Sequence, residues 1–336
     1  MRLLAVGYYG AGNPGDEALL AAWSEQTRAL RPGVQVTAVS HDPAATETAH
    51  ALEATPWRDL GALRSAVRRC DAVVAPGGSL FQDATSARSL GAYAALCEAA
   101  LRRGRPLALV AQGVGPLGRR WAATWTASIW RRAAYVSVRD AAAANWCRGH
   151  GIVAERTADL SFALSPAAAL GNSEVVLVVR RAPGWAGAAP AVRAAVEELG
   201  ERLSMPVRTV AFQVRDEVAL AGRGESWAHL GWAEVRARLA GAALVVSARL
   251  HGLLFALGAG RPGVAWCVDE KLRWAAAEWQ VPALTWGGAP AAQALAHAGA
   301  LAADPGDWRR EALARAAQAR RRAAASCGLA LAACGL

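Results

Sequence analysis

The chain of 336 residues carries 37 Lys+Arg against 27 Asp+Glu, a formal net charge of +10, and is 54% apolar and 19% charged. That apolar share is enough to fill two domain cores and excludes a disordered chain. The positive balance suits an anionic partner: nucleic acid, an acidic membrane surface or a phosphorylated substrate. No nucleic-acid-binding motif accompanies it and Phe and Tyr number four each, so no nucleic acid is expected and most arginines read as solvated helix faces.

The opening residues MRLLAVG read as a first strand and not as a signal peptide, because the chain turns glycine-rich at once and acidic at Asp16. Strand-like runs follow at Val34–Ser40, Ala72–Ala75, Leu107–Ala111, Tyr135–Val138 and Val153–Thr157, with Leu3–Gly7 as the first. Ala/Leu/Arg stretches long enough for crossover helices separate them, which predicts a parallel, doubly wound sheet. The pattern lapses at 164–173 into Pro, Ala, Gly and Asn, the makeup of a linker. A second series begins at Val175–Val179 and continues with Val207–Phe212, Ala243–Ser247 and Gly263–Cys267. The expected fold class is therefore α/β, two Rossmann-like domains facing each other across a cleft. The expected division is 1–168, 169–305 and a basic C-terminal helix and tail over 306–336.

Six cysteines, widely spaced and without CxxC or neighbouring histidines, read as reduced thiols in a cytoplasmic protein, and no metal-ligand spacing occurs. The fourteen Trp are scattered and suit packing better than base stacking. No charge-free apolar segment has the length and makeup to span a bilayer; Gly287 to Ala303 is uncharged but broken by Gly and Pro. Membrane contact is then peripheral, and the arginine-loaded helix after Asp307 is the segment suited to an anionic surface.

Candidate chemistry gathers at strand ends, where open α/β sheets bind ligands. After the first strand, Gly10, Gly12, Asn13 and Gly15 offer free backbone N–H groups before a helix that carries Asp16. The GxGxxG spacing from Gly10 to Gly15 matches a dinucleotide fingerprint in letters, but the acidic residue that should close the second strand arrives late, at Asp42. After the third strand-like run, Gly77 and Gly78 bring backbone close to a ligand, and Ser79, Gln82, Asp83, Thr85 and Ser86 supply hydrogen-bonding groups at a density that suits a carbohydrate or a capped helix start. Gln112 opens the next loop, and Arg139 ends a strand beside Asp140, placed to bind a carboxylate or phosphate or to pair with that neighbour.

The stretch Ala242–Pro262 repeats this arrangement in the second half, with a β-branched strand, Arg249–Leu250–His251 at the turn, and a helix expected from about Gly252. Arg180 and Arg181 close an earlier strand, and Asp269, Glu270 and Lys271 follow a later one. Lys271 is the only lysine of the chain, a candidate for a role that needs a compact ammonium.

The segments GYYGAGNPGDEALL, PGGSLFQDATSARS, AQGVGP, SVRD, SARLHGLLFA and VDEK, in this order, resemble the polysaccharide pyruvyl transferase family, most closely its CsaB-type members of bacterial cell-wall and S-layer polymer synthesis. The chain departs from the family pattern at Pro76, where a third Gly is usual, and around Ser89–Tyr93, which is less aromatic. The resemblance implies a glycosyltransferase-B-like fold and an enzyme that moves the pyruvyl group of phosphoenolpyruvate onto a sugar such as N-acetylmannosamine as a ketal, with no cofactor. It also implies a lipid-linked oligosaccharide acceptor at the inner face of the plasma membrane. Donor binding is carried over to Arg139, Arg249 and Leu250, with Lys271 as a looser match, and catalysis to His251.

The chemistry agrees with the residue types. A donor bearing carboxylate and phosphate needs several cations, and a neutral-range imidazole suits proton delivery to the methylene carbon. Asp16 or Asp83 is the expected base on the acceptor hydroxyls, with Gly12, Asn13, Gly15, Gly77, Gly78, Ser79, Gln82 and Gln112 on the acceptor side. The competing readings are a glycosyltransferase with a nucleotide-sugar donor and a non-catalytic polysaccharide- or nucleic-acid-binding protein.

Overall fold

The computed structural model describes residues 1–84, 86–171, 173–183, 185–285 and 292–336. Thr85, the Asn172 end of the expected linker and the start of the uncharged stretch at Gly287 lie outside the described residues. By their contacts the described residues divide into two units: Met1–Ala11, Asp16–Leu164 and Ala319–Leu336 in the first, Gly12–Gly15 and Ser165–Gln318 in the second.

The first unit holds seven parallel strands, β1 (Arg2–Tyr9), β2 (Gln35–Ser40), β3 (Glu53–Pro56), β4 (Ala72–Pro76), β5 (Leu107–Gln112), β6 (Tyr135–Val138) and β7 (Glu155–Arg156), in the order β3-β2-β1-β4-β5-β6-β7. The second holds β8 (Val175–Val179), β9 (Val207–Ala211), β10 (Glu225–Ser226), β11 (Leu244–Ser247), β12 (Gly263–Cys267) and β13 (Ala283–Thr285), in the order β10-β9-β8-β11-β12-β13. In both sheets the strand order reverses once, between β1 and β4 and between β8 and β11, and such switch points are where the flanking loops part to admit a ligand.

Central strands β4, β5, β8 and β12 are buried on both faces, which is why they appear in the sequence as unbroken apolar runs. The unexpected strands β3, β10 and β13 are all edge strands, and Glu53, Pro56, Glu225 and Thr285 give them no such run. The other edge, β7, shrinks from an expected five residues to Glu155–Arg156 for the same reason. Trp23, Trp130, Trp227 and Trp266 are fully buried, with Trp130 packing edge-on to Phe81. All six cysteines are buried and unbridged, and burial pushes the thiols of Cys97 and Cys327 up to about 12.

The C-terminal segment is not the separate tail its composition suggests. Helix Gly306–Ala333 contributes its residues up to Gln318 to the second unit and the remainder to the first. Ala319, Ala323, Cys327, Ala330 and Leu331 are buried along one stripe. Ser326 in that stripe meets the Ser137 hydroxyl of β6 at 2.7 Å and the Tyr135 hydroxyl at 3.0 Å. Ser137 in turn accepts the Ala111 N–H at 2.8 Å, where the chain turns at positive φ at the end of β5. The other end of the linker also moves: the division falls between Leu164 and Ser165 rather than at 168.

Candidate active site

In the first unit the loops after β4 and β5 are zipped to each other. Phe81 bridges Val114, Gly113 N–H donates to the Gly78 carbonyl at 2.7 Å, and Gly115 N–H to that of Phe81 at 2.8 Å. Asp83 closes the zip: buried at 5% exposure, it accepts the N–H groups of Gly118 and Arg119, each at 2.8 Å. Burial alone would raise its carboxyl, but those two N–H groups and the Arg119 guanidinium outweigh it and hold it below the ordinary value. Asp83 is thus a clamp between loops and a poor base, contrary to one of the two sequence-based expectations for that role.

Gln112 differs in the same way. Its side chain is fully buried, with the amide donating to the carbonyls of Ala75, at 2.8 Å, and Gly77. It holds the β4 loop from beneath instead of facing an acceptor. Gly77 and Gly78 take positive φ of 73° and 85°, and a Cβ on Gly77 would stand 2.8 Å from Leu19. Above them the half-buried Asp16 places an oxygen 3.8 Å from where a Gly78 Cβ would be, and its charge helps to raise the buried hydroxyls of Tyr9 and Tyr93 after burial itself. Asp16 therefore sits at the β1/β4 switch point.

Arg139, 7% exposed, donates to Asp159 at 2.9 Å and to the Ser79 hydroxyl at 3.0 Å, and pairs with Asp140 at 3.6 Å. Carboxylates on two sides already answer its charge, and its nearest effect is to fix Ser79. Gln82 is half-buried in the same loop. Of the first glycine loop, Gly12, Asn13 and Gly15 group by contacts with the second unit, against the expectation of an N-terminal acceptor loop; Gly15 N–H donates to Asn13 at 3.3 Å.

In the second unit, helix Leu250–Gly258 begins two residues earlier than expected, so Arg249 is its N-cap and Leu250 and His251 lie in its first turn. The Ser247 hydroxyl bonds the Arg249 carbonyl at 2.7 Å and receives its N–H at 3.1 Å, fixing the turn. Gly252 is what lets the helix sit there, since a Cβ would fall 2.4 Å from the Ser247 oxygen. His251 is half-buried, its ring 5.8 Å from that of Phe255.

Arg249 is 7% exposed and donates to Asp216 and to the Gln213 amide oxygen, while its buried Nε–H has no partner among the described residues. The same Gln213 oxygen accepts Arg215 at 3.0 Å, so one amide holds two guanidiniums together. Burial lowers the Arg249 pKa to about 10, with Asp216 opposing and Arg180 and Arg215 adding to the fall. Arg180 is itself tied to Asp269 at 2.7 Å, and Asp269 caps helix Glu270–Trp279, which carries the half-buried Lys271 in its first turn. Three arginines thus converge at the carboxyl ends of β8, β9 and β11. Gln213, Arg215 and Asp216 were missed in the sequence, although FQVRDE repeats the pattern of strand, polar residue and arginine seen at the other strand ends. No group of acidic, histidine or cysteine residues among those described could hold a metal ion.

The model of the family described as polysaccharide pyruvyl transferase matches residues 13–266. The chain belongs to this family. The match takes in Asp16, Arg139, Arg249 and His251 and stops short of Lys271. As a pyruvyl transferase family member the chain is a transferase enzyme. No curated protein matches it in sequence.

Its fold is shared with solved structures of glycosyltransferase-B type. A putative UDP-N-acetylglucosamine 2-epimerase from Listeria monocytogenes superposes with a TM-score of 0.63 at 15% identity, covering 97% of this chain and 94% of that one. MnaA of S. aureus in complex with UDP gives 0.65 at 11% identity over 95% and 92%. A ugt transferase from Siraitia grosvenorii in complex with UDP gives 0.60 at 12% over the whole of both chains. At such identities the likeness concerns the fold alone.

Proposed function

We propose that this family member transfers the pyruvyl group of phosphoenolpyruvate to a sugar of a cell-wall polysaccharide precursor, N-acetylmannosamine on a lipid-linked oligosaccharide, forming a ketal and releasing phosphate. The observation that carries the reading is the Arg180–Arg215–Arg249 cluster, in which a buried guanidinium two residues before His251 has an N–H without a partner among the described residues. Concentrated positive charge in a dry setting favours a small dianion such as a phosphate, and the planar fork suits a carboxylate. The first turn of helix Leu250–Gly258 adds backbone N–H groups to the same end of the sheet.

His251 gives a proton to the methylene carbon, which becomes the methyl group and leaves C2 electron-poor. A first sugar hydroxyl bonds to C2 and loses its proton to Asp16. The C2–O bond to phosphate then breaks and a second hydroxyl bonds to C2, its proton leaving with the phosphate. Asp16 is the better placed of the two carboxylates, because Asp83 already accepts two backbone N–H groups. Arg139 holds Ser79 in the acceptor loop, and Lys271 is a further candidate for the donor. The reaction draws on no cofactor.

Among the described residues no helix is long and apolar enough to cross a membrane, so contact with a lipid-linked acceptor at the inner face of the plasma membrane would be peripheral. The test is phosphate release from phosphoenolpyruvate with a panel of mannosamine-containing glycolipids. Release that depends on the glycolipid supports the assignment, and none across the panel overturns it.

A further inference from the structure

Three adjacent strands of the first unit each deliver an aromatic ring at the carboxyl end. Tyr8 lies in the last residues of β1, His41 follows β2 and Trp57 follows β3. Backbone bonds continue the ladder through these positions, with His41 N–H to the Tyr9 carbonyl at 2.9 Å and Trp57 N–H to that of Ser40 at 2.7 Å. The ring centroids are 5.0 Å apart from Tyr8 to His41 and 5.5 Å from His41 to Trp57, and Tyr93 backs the row 4.5 Å behind Trp57. His41 is exposed, Tyr8 and Trp57 are half-buried, and Tyr93 is buried with its hydroxyl on the Gly7 carbonyl at 3.4 Å.

We propose that Tyr8, His41 and Trp57 form a stacking subsite for a second sugar ring of the acceptor, adjoining the ring that receives the pyruvyl group. The inference rests on the acceptor being a saccharide. Four features of the row lead to it. The row ends in rings that keep part of their surface open, the form that the apolar face of a pyranose matches. The row lies near the candidate base, since Tyr8 and Asp16 both help to raise the buried Tyr93 hydroxyl after burial itself, so a sugar on the row neighbours one held at Asp16. Burial and then Arg58 lower the His41 pKa, which leaves the ring neutral at physiological pH and free to stack or to bond a hydroxyl. Asp42 and Arg58, exposed and directly after the rings of β2 and β3, supply polar groups at the rim.

The test compares N-acetylmannosamine with a disaccharide carrying it at the non-reducing end, titrated by calorimetry against wild type, His41→Ala and Trp57→Leu, with uridine monophosphate as a third ligand. The disaccharide should bind wild type more tightly than the monosaccharide, and each variant should lose about three- to tenfold in disaccharide affinity with monosaccharide affinity unchanged. Equal losses for both sugars, no loss in His41→Ala, or losses confined to the nucleotide each overturn the subsite. Because His41 is exposed, its variant reads the proposal even where Trp57→Leu lowers stability. These titrations need no phosphoenolpyruvate, so a failure of phosphate release would sink the donor assignment while leaving this result to stand separately.

Discussion

Arg249 and Asp216 form a buried ion pair, 7% and 1% exposed, in which the second Asp216 oxygen takes the Arg181 N–H at 3.1 Å. One carboxylate therefore sets both the Arg249 guanidinium and the chain leaving β8. Removing it strands a buried cation that only the neutral Gln213 amide oxygen then answers. Asp216→Ala is expected to lose about 3 kcal/mol or more of unfolding free energy. Urea denaturation checks this, and a loss below about 0.5 kcal/mol would mean that the pair contributes little.

Donor binding and proton transfer are assigned to different residues and separate in kinetics. Arg249→Ala should raise the phosphoenolpyruvate dissociation constant at least about tenfold, while His251→Ala should lower kcat by about 10²–10⁴ and leave that constant within about threefold. Calorimetry beside steady-state turnover distinguishes them. Unchanged turnover in His251→Ala would remove it as the acid. Arg139→Lys should disturb the donor constant less than Arg249→Ala, because Arg139 is flanked by Asp159 and Asp140, whereas Arg249 stands beside Arg180 and Arg215 and its Nε–H has no partner among the described residues.

Asp83 links stability to pH. Its carboxyl titrates lower in the folded chain than in the unfolded one, so below the ordinary value near about 4 the unfolded state takes up the proton first. The clamp's contribution is complete above that pH and is lost as the pH falls through the folded value. Asp83→Asn should lower stability at neutral pH and flatten the acid limb of a urea-midpoint profile. A variant profile parallel to wild type at all pH values would contradict the clamp. Turnover should suffer less than in Asp16→Asn, which removes the proposed base.

The strand-end loops were legible because a central parallel strand is an apolar run, and whatever polar residue interrupts it stands at the ligand-binding edge. Arg249 and His251 could be placed on that logic. Which way a side chain turns could not be. Gln112 and Asp83 have the composition of ligand-binding residues, but each answers buried backbone groups of a neighbouring loop, a pairing set by tertiary contact and not by spacing. The edge strands β3, β10 and β13 lacked the apolar signal since half their surroundings are solvent or loop. Helix Leu250–Gly258 starts early because Arg249 can serve as an N-cap once Ser247 ties the turn.

The C-terminal helix changes how membrane contact is tested. Its small-residue stripe is already packed in the first unit, so that stripe does not enter a bilayer, and attraction to an anionic surface is expected from the exposed arginines opposite. Cutting the chain at Pro305 would remove Ser326 and its bonds to Tyr135 and Ser137, and is expected to destabilise the first unit, so lost vesicle binding by that truncation would be uninformative. Arg321 and Arg322 are exposed and can be changed without touching the stripe. Arg321→Ala with Arg322→Ala should keep the thermal midpoint and reduce co-sedimentation with phosphatidylglycerol vesicles by roughly fivefold per residue at low salt. Undiminished binding by a folded double variant would rule this helix out as the membrane contact.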